Sequence, residues 1–462
     1  MFRRLRSFIE QVVLLIVFFL IWRTWGMQGL VEPCRISSGS MAPGLVGPHV
    51  EVVCSECGWR YFCGADGRPG RDQATCPNCG RRQTGVAQRP ALPGDRVLLQ
   101  KTAFALREPR RFEVIAFARP GAANQIAVKR VVGLPGERVE VRRGEVWING
   151  QMARKSLAEQ HALGVLVHDA TFPTARNSSD RWRADRVDSA WGVAAGRFAH
   201  SGARPSAATD GVDWISYVHH RRGRNGEHPT VESTINDDLG YNQWLPRRQE
   251  SVEQVRDLRL EFLVESAVGP GELLVRITDG VDVFLVEISP ESDEYRVLRG
   301  GELVPSGQGK LPASWTDYPV EVSLVDSQFL LALGGRIAIQ FPYQRSRVRQ
   351  QGVSRPVSLG SRGAALVVGR VRLWRDVYYT SPPPPLGRWA IGREVSLGAD
   401  EYFVLGDNSQ ISEDSRLWGT GPAVPARLVK GKPLAVIYAP RLVEWGEWSI
   451  TIPDVSRMRY IR

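Results

Sequence analysis

The clearest pattern along the chain is one uninterrupted apolar run near its start. The run extends from Val12 to Trp22, and counted from Phe8 to Trp25 it approaches the roughly 20 residues that a spanning helix needs. Arginines precede the run, and tryptophans at its far end suit the interface between lipid and water. The pattern predicts that residues 1–29 form one N-terminal membrane anchor.

A cleaved signal peptide is the alternative, because the apolar run is short. The flanking residues Arg23-Thr24-Trp25 offer no small-x-small cleavage site, which favours an uncleaved anchor. The positive flank is expected to stay in the cytoplasm. We therefore expect a single-pass protein of the cell inner (cytoplasmic) membrane, in contact with its lipid, whose remaining residues lie on the extracytoplasmic side.

After the anchor, alternating apolar and polar residues predict short strands rather than helices. Such segments include Val97–Lys101, Phe112–Ala118 and Ala127–Val141, and Asn149-Gly150 is typical of a hairpin turn. Similar sequence returns after a proline run at 382–385, which is stiff and extended. Residues 30–53, 85–151 and 381–462 are therefore predicted to form one β domain that is interrupted twice.

The longer interruption, residues 152–380, holds many short strand candidates separated by Gly, Asp and Pro, which predicts an inserted β-sandwich. The pattern of short strands in Asp180–Ser201 and Trp315–Gly335 loosely resembles that of concanavalin A-like or laminin-G-like sandwiches. Tyr241 and Trp244 could stack on a sugar or lie in the core or at its rim. The sandwich is therefore a candidate surface for an envelope or glycan partner.

The shorter interruption, residues 54–84, contains two Cys-x2-Cys pairs, Cys54/Cys57 and Cys76/Cys79. Their spacing fits a four-cysteine zinc site, and such a site would stabilise a segment too small for its own core. Disulfides are the alternative, because the predicted topology puts the segment in an oxidising compartment. We expect a zinc-ribbon-like insertion with a structural or docking role and no cofactor for catalysis.

The composition adds a formal net charge of +11 that comes from arginines spread along the chain. No nucleic-acid-binding motif accompanies this charge, so nucleic acid is not predicted as a partner. A basic surface held near anionic lipid head groups fits the predicted anchor.

One serine and one lysine stand in settings that suit amide hydrolysis. Ser40 follows Ser38-Gly39, and Lys129 follows the apolar run Ile126-Ala127-Val128. A serine nucleophile needs a base, and a lysine can act as that base only when it is neutral, a state that burial favours. Taken alone, however, Ser-Gly-Ser is usually a turn and a strand lysine usually reaches solvent.

In combination, these motifs resemble the bacterial type I signal peptidases, the leader peptidases of serine peptidase family S26. The matching blocks, in the order of that family, are Ser38–Pro43, Pro93–Val97, Ala127–Val139 and Tyr402–Gly419. The resemblance covers residues 1–50, about 90–150 and about 386–440. It implies a mainly β fold class: a signal-peptidase-like β catalytic domain behind one transmembrane helix, with the sandwich inserted.

The resemblance also implies a mechanism. Ser40 would be the acylated nucleophile of a Ser-Lys dyad, and Lys129 would be its neutral general base. Ser38 would offer its hydroxyl to the developing oxyanion, and Ser412 would hold Lys129 by a hydrogen bond.

Further residues would support the site or bind the substrate. Asp414 and Arg416 would form a supporting salt bridge. The substrate would be the signal peptide of an exported preprotein, bound as an extended strand against the segments around Ile36 and Ile126.

The chain departs from the family at several positions. Ser37 stands where the family usually has proline, Gly44 where threonine is usual, and residues 406–412 read GDNSQIS rather than GDNRDNS. These differences are expected to affect the local loop geometry more than the chemistry.

Three other functions are compatible with parts of the pattern. The chain could be a specialised Ser-Lys peptidase that processes a few envelope proteins, or a degenerate peptidase that only binds envelope components. The presence of Ser40, Lys129 and Ser412 argues against the second. A self-cleaving Ser-Lys repressor is disfavoured by the anchor and by the lack of a DNA-binding helix pair.

Overall fold

The computed structural model describes residues 2–65, 72–172, 181–203, 210–221, 231–244, 253–312, 318–345, 352–380, 389–445 and 448–461. Its first element is helix α1 (Phe2–Ile21), which continues as a π-helical stretch, Trp22–Leu30. The segment Arg6–Thr24 is long and apolar enough to cross a membrane, and none of its most apolar part is buried against the rest of the chain. This geometry fits the predicted anchor.

Strands dominate the remainder. The first part of the chain contains β1 (Val31–Arg35), β2 (His49–Val53), β3 (Arg60–Gly64), β4 (Gln73–Thr75), β5 (Arg82–Thr84), β6 (Arg96–Gln100), β7 (Val114–Arg119), β8 (Ala122–Gly133), β9 (Arg138–Arg142), β10 (Glu145–Ile148) and β11 (Gln151–Met152).

The middle of the chain contains α2 (Leu157–Leu163), β12 (Val165–Asp169), β13 (Trp182–Ala184), β14 (Trp191–Ala194), β15 (Arg197–Ser201), β16 (Asp213–Tyr217), β17 (His220–Arg221), β18 (Val231–Glu232), β19 (Leu258–Val268), β20 (Glu272–Thr278), β21 (Val283–Ser289), β22 (Glu294–Arg299), β23 (Glu302–Lys310), β24 (Tyr318–Val325), β25 (Gln328–Leu333), β26 (Arg336–Pro342), β27 (Val357–Arg362) and β28 (Ala365–Arg375).

The last part contains β29 (Val395–Ser396), β30 (Glu401–Leu405), β31 (Ala423–Pro425), β32 (Val429–Tyr438), β33 (Pro440–Trp445), β34 (Trp448–Pro453) and β35 (Arg459–Tyr460).

Strands from both ends of the chain interleave in one sheet with the order β1-β6-β32-β7-β8-β30-β31, and β35 also pairs with β32. A second sheet, β11-β10-β9-β29, shares a hydrophobic cluster with it. The predicted hairpin turn is confirmed, because Ile148 pairs with Gln151 and both Asn149 and Gly150 have positive φ, as a type I′ turn requires. Residues after the sandwich therefore complete the β domain that begins before it.

The middle of the chain forms two facing antiparallel sheets. One has the order β14-β15-β28-β19-β24-β25-β26, with β12 also paired to β28, and the other has the order β13-β16-β27-β20-β21-β22-β23. Alternate residues of β19, Leu260, Phe262 and Val264, are at most 1% exposed and belong to the core between the sheets. The predicted mainly β fold class with an inserted sandwich is confirmed.

The sandwich and the first β domain share a core at their junction. Leu163 and Val165 pack in the same cluster as Val139, Val141 and Phe403 of the β domain. The limits at 152 and 380 therefore stay predictions, since a continuous core crosses the first of them. The proline run predicted as a boundary lies outside the described residues.

Buried charges also fill this junction. One carboxylate oxygen from each of four acidic residues lies within 4.8 Å of the others: Glu145, Asp257, Asp326 and Asp376. Lys155 Nζ lies 2.8 Å from both Asp326 Oδ1 and Asp376 Oδ2. Buried charges are tolerated when they are paired in this way.

Candidate active site

Ser40 lies in a single 3-10 turn, Gly39–Met41, shortly after β1. Asp95 holds the chain on both sides of this turn: its carbonyl accepts from the Ile36 N–H at 2.8 Å and its Oδ2 accepts from the Val46 N–H at 3.0 Å. The Asp95 N–H also donates to the Val46 carbonyl at 2.9 Å. The block around Asp95 therefore sets the position of the turn.

Two glycines allow this close packing. A Cβ on Gly94 would overlap the Ile36 carbonyl oxygen, and a Cβ on Gly47 would overlap the Ser38 carbonyl. Backbone can therefore approach backbone only because neither residue has a side chain.

Asn408 also holds the Ser40 turn. Its N–H donates to the Ser40 carbonyl at 3.0 Å, and its Nδ2 donates to the Gly39 carbonyl at 3.0 Å. Asn408 follows β30, which pairs with β8 through Leu405 and Arg130. The pairing of β30 with β8 thus places the loop that carries Asn408 next to Ser40.

Lys129 lies on β8, the strand against which the Ser40 turn packs. Lys129 is only 5% exposed. Burial lowers its pKa to about 8, although the nearby Asp414 carboxylate opposes this shift. With such a pKa, about a tenth of the amine is neutral at pH 7 and can accept a proton.

Asp414 and Arg416 form a buried, two-pronged ion pair. Arg416 Nε and Nη2 each donate to the Asp414 carboxylate at 2.8 Å, and the side chains are 1% and 0% exposed. The Gly406 N–H donates to Asp414 Oδ2 at 3.0 Å, while Arg416 Nη1 donates to Ser409 Oγ at 2.7 Å. The pair therefore fixes the loop that carries Asn408.

The remaining predicted serines also lie at the site. Ser38 Oγ donates to Ser40 Oγ at 3.3 Å. Ser412 Oγ is buried near the Asp414 carboxylate, but it has no hydrogen bond of normal geometry to any described residue. The oxyanion role of Ser38 and the Lys129-holding role of Ser412 stay predictions.

The predicted substrate residues differ in exposure. Ile36 is 6% exposed and packs in the core, whereas Ile126 is 50% exposed. One edge of β8 pairs with β7. On its other edge, the described strands pair with β8 only from Arg130 onward, so that edge is open from Ala122 to Lys129. An open edge can pair with an extended peptide.

Three structural residues, Arg130, Asp407 and Asn408, were not singled out from the sequence. Arg130 forms a buried ion pair with Asp407, with donor–acceptor distances of 2.6 and 2.8 Å. Asp407 and Asn408 lie inside the matching block Tyr402–Gly419, and Arg130 directly follows Lys129. Their position inside or next to the family motifs was the feature of the sequence that could have identified them.

The four cysteines of the two pairs converge. Cys54 Sγ and Cys79 Sγ are 3.5 Å apart, and Cys57 Sγ and Cys76 Sγ are 3.7 Å apart. A tetrahedral zinc ion with Zn–S bonds of about 2.3 Å places its sulfurs about 3.8 Å apart, whereas a disulfide needs about 2.05 Å. These residues therefore fit a zinc ion.

The loops around the sulfurs form two tight turns of the same geometry. The Gly58 N–H donates to the Cys54 carbonyl at 2.9 Å, and the Gly80 N–H donates to the Cys76 carbonyl at 2.8 Å. The φ angles of Gly58 and Gly80 are 72° and 76°, values that favour glycine. Each Cys-x2-Cys pair thus closes the same tight turn.

Comparisons with known proteins agree with the resemblance. Residues 81–211 and 384–438 match a family model described as "Signal peptidase, peptidase S26". The probable signal peptidase I-2 of Synechocystis sp. is 36% identical over 63 residues, which cover 13% of this chain and 29% of that relative. Signal peptidase I of Pseudomonas fluorescens is 29% identical over 199 residues, which cover 40% of this chain and 56% of that relative.

A structural comparison gives a weaker similarity. A carbohydrate binding module from Bacillus subtilis aligns with 43% of this chain and 94% of its own, at 11% identity and a TM-score of 0.21. This score is too low to carry an argument about a ligand. The chain spans less than two thirds of the length of the two signal peptidases.

Proposed function

Because the chain belongs with the type I signal peptidases of peptidase family S26, we propose that it removes signal peptides from exported preproteins with a Ser40–Lys129 dyad. One observation carries the proposal. Lys129 is buried, has a pKa lowered to about 8, and lies on the strand that packs against the Ser40 turn. A buried amine of this kind is suited to deprotonate a serine.

The proposed reaction has two stages. Ser40 Oγ attacks the scissile carbonyl carbon while Lys129 Nζ takes the hydroxyl proton, and the oxyanion accepts hydrogen bonds from the Ser40 N–H and the Ser38 hydroxyl. Collapse of the intermediate breaks the C–N bond, and the Lys129 ammonium protonates the leaving amine. Lys129 then deprotonates a water molecule, which attacks the acyl carbon. The C–Oγ bond breaks, the Lys129 ammonium returns its proton to Ser40 Oγ, and the signal peptide leaves as a carboxylate.

The open edge of β8 supports the proposed substrate geometry. An extended signal peptide that pairs with this edge would pass Ile126 and reach Ser40, with backbone hydrogen bonds to the strand. Small residues before the scissile bond, in an Ala-x-Ala pattern, would fit shallow pockets beside Ile126.

Cleavage of a generic preprotein in detergent tests the proposal. We expect one cut after an Ala-x-Ala sequence, identified by the mass of the two products. A matched preprotein with phenylalanine in place of the last alanine should be cut at least about tenfold more slowly, because a bulky side chain does not fit a shallow pocket. Failure to cut the first preprotein would contradict a general signal peptidase.

We further propose that the chain is anchored in the inner membrane and that its β domains lie on the extracytoplasmic side. The apolar helix supports the anchor. Trp445 and Trp448 face each other at the end of the β33–β34 hairpin, and each is 81% exposed, a placement that suits the lipid–water interface. Protease added outside spheroplasts should digest the β domains and spare the anchor; full protection would contradict the orientation.

The cysteine cluster supports a structural zinc site, with Cys54, Cys57, Cys76 and Cys79 as ligands. A bound ion would supply the cross-link that holds the two short hairpins together. We expect about one zinc ion per chain by metal analysis. The Cys76→Ser variant should lose it, with increased proteolysis between residues 49 and 84.

Cys34→Ser provides the matched control, because Cys34 lies on β1 outside the cluster and that variant should retain the metal. Purified wild type without zinc, in which all four thiols are oxidised, would contradict the proposal and favour the disulfides.

A further inference from the structure

A short segment from within the sandwich insertion reaches the candidate active site. Gly240–Trp244 forms a 3-10 helix whose residues Tyr241, Asn242 and Trp244 are buried. Tyr241 and Trp244, which the sequence left open as sugar-stacking or core residues, are 4% and 3% exposed. They are therefore packing residues.

Asn242 and Asn408 form a reciprocal pair of side-chain amides. Asn242 Nδ2 donates to Asn408 Oδ1 at 2.8 Å, and Asn408 Nδ2 donates to Asn242 Oδ1 at 2.8 Å. Asn408 Nδ2 also donates to the Gly39 carbonyl, which can only accept, so the orientation of the Asn408 amide is fixed. Asn242 thus holds the side chain that holds the Ser40 turn.

Tyr241 packs on the turn itself. A Cβ on Gly39 would overlap the Tyr241 ring, and the Tyr241 hydroxyl donates to the Pro48 carbonyl at 2.8 Å. The ring therefore closes one side of the segment that carries Ser40.

The same 3-10 helix is also attached to β4 of the cysteine-containing insertion, residues 54–84, which is named the ribbon. Gln243 Nε2 donates to the Thr75 carbonyl at 2.8 Å, and the Thr75 N–H donates to Gln243 Oε1 at 2.6 Å. Trp244 Nε1 donates to the Gln73 carbonyl at 2.9 Å. The helix is therefore held between the ribbon and the Ser40 turn.

We infer that Asn242 is a positioning residue for the nucleophile, so that the inserted sandwich supplies part of the apparatus that orients Ser40. This inference rests on the proposed function. Asn242 is 1% exposed, and its amide completes the hydrogen bonding of Asn408. Without it, Asn408 Oδ1 would lose a buried donor, and its side chain would no longer be fixed against the Gly39 carbonyl.

Steady-state kinetics of the full chain on a preprotein test this inference. We expect Asn242→Ala to lower kcat by roughly ten- to a hundredfold with little change in KM, because a small displacement of a nucleophile affects the chemical step. The acidic limb of the pH profile should not move, since Asn242 does not contact Lys129. Asn242→Asp keeps the shape of the side chain but replaces the amide donor to Asn408 by an acceptor. It should show the same loss of kcat, and it provides the test if the alanine variant is poorly folded.

A double-mutant cycle separates positioning from general destabilisation. If Asn242 acts through Asn408, Asn242→Ala should have little further effect on kcat in an Asn408→Ala background. Asn236→Ala is the matched control, because Asn236 lies in the same connecting segment and its side chain, among the described residues, accepts only from the Asp238 N–H of its own turn. Its kcat should equal that of the wild type.

Unchanged kcat in Asn242→Ala, or equal losses in the presence and absence of Asn408, would overturn the inference while leaving the proposed function intact. A wild type whose cleavage does not require Ser40 would instead overturn the proposed function.

Discussion

Replacing Lys129 by methionine is expected to lower kcat/KM on a preprotein by about 10,000-fold or more. Methionine is similar in length and apolar, so it fills the buried site on β8 but cannot accept the Ser40 proton. Ser40→Ala should cause a comparable loss, and the double variant should be no worse than either single one, because the two groups act as a unit. Residual cleavage in Lys129→Met within tenfold of the wild type would rule out Lys129 as the base.

The pH profile gives an independent readout of the same residue. Because burial lowers the Lys129 pKa to about 8, the neutral base accumulates above that pH. The kcat/KM of the wild type should therefore rise with increasing pH and level off above about pH 8. Lys129→Arg should be inactive throughout, since a guanidinium stays protonated in proteins.

The sequence predicted those features that depend on local pattern. Alternation of apolar residues predicted the strands, and the Asn149-Gly150 pair predicted its turn because both residues tolerate positive φ. The Ser38–Pro43 and Ala127–Val139 blocks led to Ser40 and Lys129 because their motifs are contiguous in the chain.

Contacts between distant segments could not be predicted in this way. Nothing local to Asn242 indicates that it lies against Asn408, which is 166 positions away. The depressed pKa of Lys129 likewise depends on which segments cover β8, and the burial of Ile36 follows from its packing against other strands. Such features arise from tertiary packing, which cannot be inferred from the periodicity of apolar residues along the sequence.

Replacing Asp414 by alanine is expected to destabilise the protein by about 3–5 kcal/mol, the largest stability effect among these variants. The change would leave the Arg416 guanidinium buried, 1% exposed, without its carboxylate partner. Removing the Arg416 charge as well, in Asp414→Ala with Arg416→Met, should recover part of the loss, because no unpaired charge then remains. Equilibrium urea unfolding of the full chain in detergent provides the measurement.

Glu413→Ala is the matched control for Asp414→Ala. Glu413 pairs with Arg119 at the surface, where the side chains are 48% and 36% exposed, so its removal should cost less than about 0.5 kcal/mol. Burial on its own would raise the Asp414 pKa, but the charge and hydrogen bonds of Arg416, together with the Lys129 charge, outweigh it and hold that pKa below its ordinary value. The ionised Asp414 therefore stabilises the fold above about pH 4, and this contribution disappears as the pH falls further. The stability difference between the wild type and Asp414→Ala should accordingly be constant at neutral pH and shrink only in acid. If the two proteins were equally stable at pH 7, the buried pair would not support the loop that carries Asn408.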